Sequence, residues 1–273
     1  MMSLLRTDFK RVFKDKMMIV LAILAVAFAA INPLLNGAID AVIKMFDEAY
    51  VAATTAKAMF FMSFNLGDLM GLVTAAILAS MLCKDFSYGT IRNKIIAGKS
   101  RSAIFGSLFV TCSVVFVAVM LLNAFATLGI SLCLFDYQAD PFTMADFWYT
   151  LESLGFSLLV MLFGAALLAA LCVCMKSGAA VIVTYLSFAF GMGMISSLVT
   201  GGVSLLELME GSEKAIKILT PISRINVFGA YAYIGNGTEY AWKDVLYLVI
   251  PASVGILSFV SFGFWKFNRK DLK

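Results

Sequence analysis

The run AIFGSLFVTCSVVFVAVMLLNAFATLGISLCLF, residues 103–135, contains no aspartate, glutamate, lysine or arginine. A helix rises 1.5 Å per residue, so about 20 apolar residues cross a hydrocarbon core about 30 Å thick. This stretch therefore reads as a membrane-spanning helix with length to spare, and tilt or emergence beyond the bilayer takes up the excess. Working outward, five more runs meet the same requirement: 17–35, 64–83, 148–175, 179–199 and 245–265. The sequence thus predicts an all-α, polytopic membrane protein with six transmembrane helices over 17–265. Composition agrees, with 62% hydrophobic and 14% charged residues, against roughly 45–50% and about 25% in an ordinary soluble domain.

Charge supplies the orientation. Of the 21 lysines and arginines, 15 fall in residues 1–16, 84–102, 176 and 266–273, all on the side that holds both ends of the chain. Short loops rich in Lys and Arg stay in the cytoplasm, so both termini are expected there. The acids run the other way, with only Asp8, Asp15, Asp85 and Asp271 on that side. Ala27-Phe28-Ala29 has the small-x-small form of a signal cleavage site, but the charged leader is long and the apolar run continues past it. No cleavage is expected.

Several chemistries are excluded. The chain has no histidine, which removes Ser-His-Asp triads, HExxH zinc sites and histidine-ligated haem. The five cysteines, Cys83, Cys112, Cys133, Cys172 and Cys174, lie in or at the ends of apolar runs. That placement fits packing, not a disulfide framework or a metal site. No metal and no nucleic acid is expected as a partner.

Residues 1–16 form a basic amphipathic leader. Leu5, Phe9, Val12 and Phe13 recur at i, i+4, i+7 and i+8, with Arg6, Lys10, Arg11 and Lys14 around them. Such a helix lies along an anionic leaflet with its apolar face submerged. On the outer side, 36–63 and the large loop 200–244 carry most of the polar residues. Leu205 to Leu219 in the latter reads as one or two short amphipathic helices stopped by Pro221, and Asn236-Gly237-Thr238 has the form of a glycosylation sequon.

The loop 84–102 contains Gly98-Lys99-Ser100, the last three letters of a phosphate-binding loop. That motif needs glycine five positions earlier, after a strand; here Asn93 stands at that position and a membrane helix precedes it. No nucleotide site is expected. The stretch instead reads as a short helix capped by Thr90, running from Ile91 to Ala97 and ended by a left-handed Gly98, with Ser102 capping the next span. Ile91 and Ile95 share one face, Ile96 lies beside them, and Arg92, Asn93 and Lys94 are polar. An apolar ridge bounded by positive charge is suited to a groove on another protein.

The series Lys84-Asp85-Phe86-Ser87-Tyr88-Gly89-Thr90-Ile91-Arg92-Asn93-Lys94, followed by Gly98-Lys99-Ser100-Arg101, resembles the loop between the second and third spans of ABC-2 type transporter permeases. The six-span layout, basic leader and large outer loop before the last span are similar too. The resemblance implies the permease subunit of a bacterial plasma-membrane exporter, paired with a second permease, identical or paralogous. ATP and Mg would be held by a separate ABC ATPase subunit, and this chain would bind no cofactor. By position, Gly89, Thr90, Ile91, Arg92, Asn93, Lys94, Ile95 and Gly98 would form the helix that couples to the ATPase, and Phe9, Val12 and Phe13 part of the connecting helix. The substrate would be hydrophobic, lipid-like or peptidic, as in antimicrobial peptide resistance.

Two intramembrane features stand beside this. Asp68 is an ionisable residue near the start of the second span and a candidate for the substrate path. Gly67 and Gly71 form a G-x-x-x-G spacing that lets helices approach closely. Two other readings are open: a non-transporting sensor or immunity subunit that binds a peptide through its outer loops, and an aspartyl hydrolase in which a second carboxylate would have to face Asp68.

Overall fold

The computed structural model describes residues 2–47, 54–65, 69–136, 140–175, 177–208 and 242–269, together with 214, 219, 222, 225–228, 234, 235 and 240. These residues contain no strand. The elements are α1 (Met2–Lys14), α2 (Lys16–Phe46), α3 (Ala56–Met62), α4 (Leu69–Ser87), α5 (Thr90–Ile96), α6 (Arg101–Leu134), α7 (Met144–Cys174), α8 (Gly178–Leu208) and α9 (Trp242–Arg269).

Local chemistry sets the boundaries. Asp15 separates α1 from α2 and its carboxylate accepts from the Met17 amide at 3.0 Å, capping the longer helix. Thr55 caps α3 in the same way. Thr143 and Asp146 form a reciprocal capping box at the start of α7. Pro33 lies inside α2 without ending it, as apolar membrane helices allow.

Among the described residues, five helices are long and apolar enough to cross a membrane: α2, α6, α7, α8 and α9. The expected second span is where the structure differs. Phe64 and Asn65 sit in the turn that follows α3, whose Ser63 hydroxyl donates to the Phe60 carbonyl. The helix described after it begins only at Leu69, and its last turn carries Lys84 and Asp85. Among the described residues, Met70–Phe86 counts as a further span together with α5, from which it is bent by 52°.

α7 occupies the centre. Gly164, Ala165, Ala166, Ala169 and Ala170 on it are all buried, and such small residues let neighbouring helices come close. α6 and α9 pack along it, and α4 and α8 also touch it. Glycines on α9 serve as sockets for rings from the two neighbours. A Cβ at Gly255 would collide with the Phe163 ring of α7, and one at Gly263 with the Phe105 ring of α6. Phe163 and Phe105 in turn pack edge-on against Phe259 and Phe264 at centroid distances of 5.5 and 4.6 Å. α2, α8 and α9 turn Ile19, Ile23, Val183, Met194, Val254 and Leu257 outward, the side chains expected against acyl chains. Trp242 is exposed at one end of α9, and Trp265 at the other lies under the Arg269 guanidinium at 4.8 Å. This is the aromatic-and-basic pattern of membrane interfaces.

Candidate functional site

The predicted leader and loop meet at the end of the bundle that carries the N-terminus. α5 begins at Gly89, whose φ of +70° places it in the left-handed region. Gly89 therefore holds the cap position expected of Thr90, which is the first helical residue. Gly98, at φ +79°, ends the helix as expected; its amide donates to Ile95 O and that of Lys99 to Lys94 O. The cap of α6 is Ser100 rather than Ser102, its hydroxyl accepting from the Ala103 amide at 3.3 Å.

The two isoleucines do not form a free ridge. Ile91 is 3% exposed and belongs to the chain's own core, against which Ile95 packs half-buried. What α5 turns outward is Arg92, Asn93 and Ile96, the last 73% exposed, with Tyr88 beside it at 79%. The 3.6-residue period places Ile91 with Ile95 correctly, whereas Ile96, expected beside them, faces outward with Arg92. It does not say which pair faces the protein.

α1 decides that. Its buried positions are Leu4, Asp8 and Val12, four apart, with Phe9 half-buried and Phe13 49% exposed. The inward face keeps Val12 of the predicted Leu5, Phe9, Val12 and Phe13 stripe, but it is centred one residue before the other three and carries a carboxylate. The Lys94 ammonium donates to Asp8 Oδ1 at 2.6 Å and the Ser107 hydroxyl donates to Asp8 Oδ2 at 2.6 Å. One turn on, Arg11 pairs with Asp85 at the end of α4. Both carboxylates are 7% exposed at the side chain. A carboxylate so buried persists as an ion only when paired and hydrogen-bonded. Two ion pairs and one hydroxyl therefore join α1, α4, α5 and α6.

The sequence holds a sign of this arrangement. Among the acids on the basic side, Asp8 and Asp85 each stand amid lysines and arginines, and each is a buried partner here, while Asp15 is a helix cap. Acids kept where positive charge dominates are candidates for internal pairing.

Next to the cluster, a cleft of about 230 Å³ opens between α1 and the α4–α5 corner, lined in part by Arg11, Asp15, Lys84 and Thr90. Asp68 and Gly67 lie outside the described residues, as do most of 200–244 and the tail from 270. Among the described residues no group of three or more His, Cys, Asp or Glu is placed to hold a metal. Cys83 and Cys172 come within 3.8 Å, both buried as free thiols.

Residues 19–273 match the family described as "Protein of unknown function (DUF2705)", and the chain belongs to that family. The match begins inside α2, so α1 precedes it. No curated protein matches the chain.

Proposed function

We propose that the chain is the permease subunit of an ATP-driven ABC-2 type exporter in a bacterial plasma membrane. In this reading α4 is the sixth pass, both termini are cytoplasmic, and α1 is the amphipathic connecting helix. A second permease completes the path, and a separate ABC ATPase carries ATP and Mg. The substrate class is hydrophobic, lipid-like or peptidic.

The observation that carries the reading is α5. It is a two-turn helix at a sharp bend after α4, fixed from inside by Ile91 and by the Lys94 pair, with Arg92, Asn93 and Ile96 turned outward. A helix held on one face and bare on the other can pass a push from a soluble partner into the bundle. The ion pairs to Asp8 and Asp85 give that push a rigid route into α1 and α6. Movement of this kind needs contacts that differ between two states, and a face able to engage and release a partner provides them.

Gentle affinity purification from the native membrane, with mass spectrometry, tests the proposal. Recovery of a Walker-containing subunit supports it. Its absence even after crosslinking sinks it and favours a sensor or immunity subunit that works through its outer loops.

A further inference from the structure

The ion-pair cluster borders a small space between α1, α4, α5 and α6. A narrow cavity of about 10 Å³ has the apolar side chains of Leu82, Ile91, Ile104 and Leu108 over most of its wall, with Asp8, Arg11, Asp85, Lys94 and, on α6, Thr111 at the remainder. Thr111 is 1% exposed, and its Oγ1 has no hydrogen-bond partner. A buried hydroxyl with no partner is a standing cost to the fold, and native proteins almost always remove it. A void of about one water-sized sphere holds water when two or more polar groups reach it, even where the rest of its wall is apolar.

We propose that one ordered water molecule occupies this cavity and bridges Thr111 Oγ1 to the carboxylates of α1 and α4. Charge selects the ligand. Two carboxylates face an ammonium and a guanidinium, so the lining is neutral overall, and an added ion of either sign would meet two like charges. Capacity is available too. Each Asp8 oxygen accepts one bond, from Lys94 or Ser107, and a carboxylate oxygen accepts two. Through the water, α6 gains a second tie to the cluster, one turn beyond Ser107. The proposal is independent of the transport reading.

The test uses the full chain in nanodiscs. A cryo-EM map that resolves other buried waters should contain a peak about 2.7–3.0 Å from Thr111 Oγ1 and from an Asp8 or Asp85 oxygen; an empty cavity in such a map overturns the proposal. Thr111→Val keeps the shape and removes the hydroxyl. With a water present, valine strands it, and the unfolding midpoint falls by about 2–4 °C. With no water, valine removes an orphaned group, and a midpoint unchanged or raised overturns the proposal. Replacing sodium by choline at equal ionic strength should leave the wild-type midpoint where it is; a fall confined to the sodium-free sample would mean a bound cation instead. If the valine variant does not accumulate, the map decides.

Discussion

Asp8 and Lys94 meet across 86 positions of sequence in an ion pair 2.6 Å long, with side-chain exposures of 7% and 15%. The pair joins the first helix to the short helix after α4. Removing one partner leaves a buried charge behind, a change that costs about 3 kcal/mol or more in buried pairs. Lys94→Met is expected to destabilise the protein by up to about 3 kcal/mol, since the lysine keeps some contact with solvent. Adding Asp8→Asn should recover most of the loss. Thermal unfolding of both single variants and the double variant in detergent measures the coupling; additive effects would mean that the two side chains act separately.

The outward face of α5 separates docking from folding. Arg92→Glu with Ile96→Glu should leave the unfolding midpoint within about 2 °C of wild type, because exposed substitutions cost little. If the chain is the proposed permease, the same variant should fail to recover an ATPase that the wild type recovers. Ile91→Glu, which places a carboxylate in the core, should instead reduce the yield of folded protein. Retention of the ATPase by the Arg92/Ile96 variant would remove α5 as the docking element.

The ring sockets of α9 make a packing prediction. Gly255→Ala and Gly263→Ala each place a methyl group where the Phe163 or Phe105 ring lies. Overpacking of this kind costs about 1–3 kcal/mol. Pairing Gly255→Ala with Phe163→Leu should recover part of the loss, and so should Gly263→Ala with Phe105→Leu. Unfolding midpoints of the four variants provide the check; a neutral alanine at either glycine would show that the socket yields without cost.

At the opposite end of the bundle, Lys57 on α3 pairs with Asp140 and Asp146. The hydrogen bond to Asp140 raises the Lys57 pKa, against the lowering effect of burial, with Asp146 adding to the rise. A lysine raised in the folded state stabilises it fully below the unfolded value of about 10.4. That contribution is lost as pH rises through the folded value. Lys57→Met should therefore lower the midpoint at pH 7, with the gap to wild type narrowing above about pH 10.4. A gap that stays constant would assign the lysine's effect to packing.

Much of the architecture could be read from the apolar runs. Residues 103–135 and 148–175 correspond closely to α6 and α7, because long uncharged stretches have few alternatives to a membrane helix. The start of α4 was harder to place. The predicted span begins at Phe64, yet Phe64 lies in the turn at Ser63 that follows α3, and 56–63, expected as an outer segment, holds that separate helix capped by Thr55. The site was half legible. The α5 period paired Ile91 with Ile95, but it put Ile96 beside them, whereas Ile96 faces outward with Arg92, and which face is buried depends on where α1 lies. That is set by Asp8–Lys94 and Arg11–Asp85, contacts 86 and 74 positions apart that no local spacing encodes.

The separation of those contacts also orders events during synthesis. Chains emerge from the ribosome N-terminus first, so α1 and α2 exist before Lys94, Asp85 or Ser107 has been made. Through that interval Asp8 and Arg11 lack the partners that they hold in the fold, Lys94, Ser107 and Asp85. In the proposed topology, the leader carries its basic residues undocked while α2 is being oriented. Only when α6 has been threaded can α1 dock. In that topology, one segment would serve first as an address label and then as a structural part, and the order of translation would keep the two roles apart.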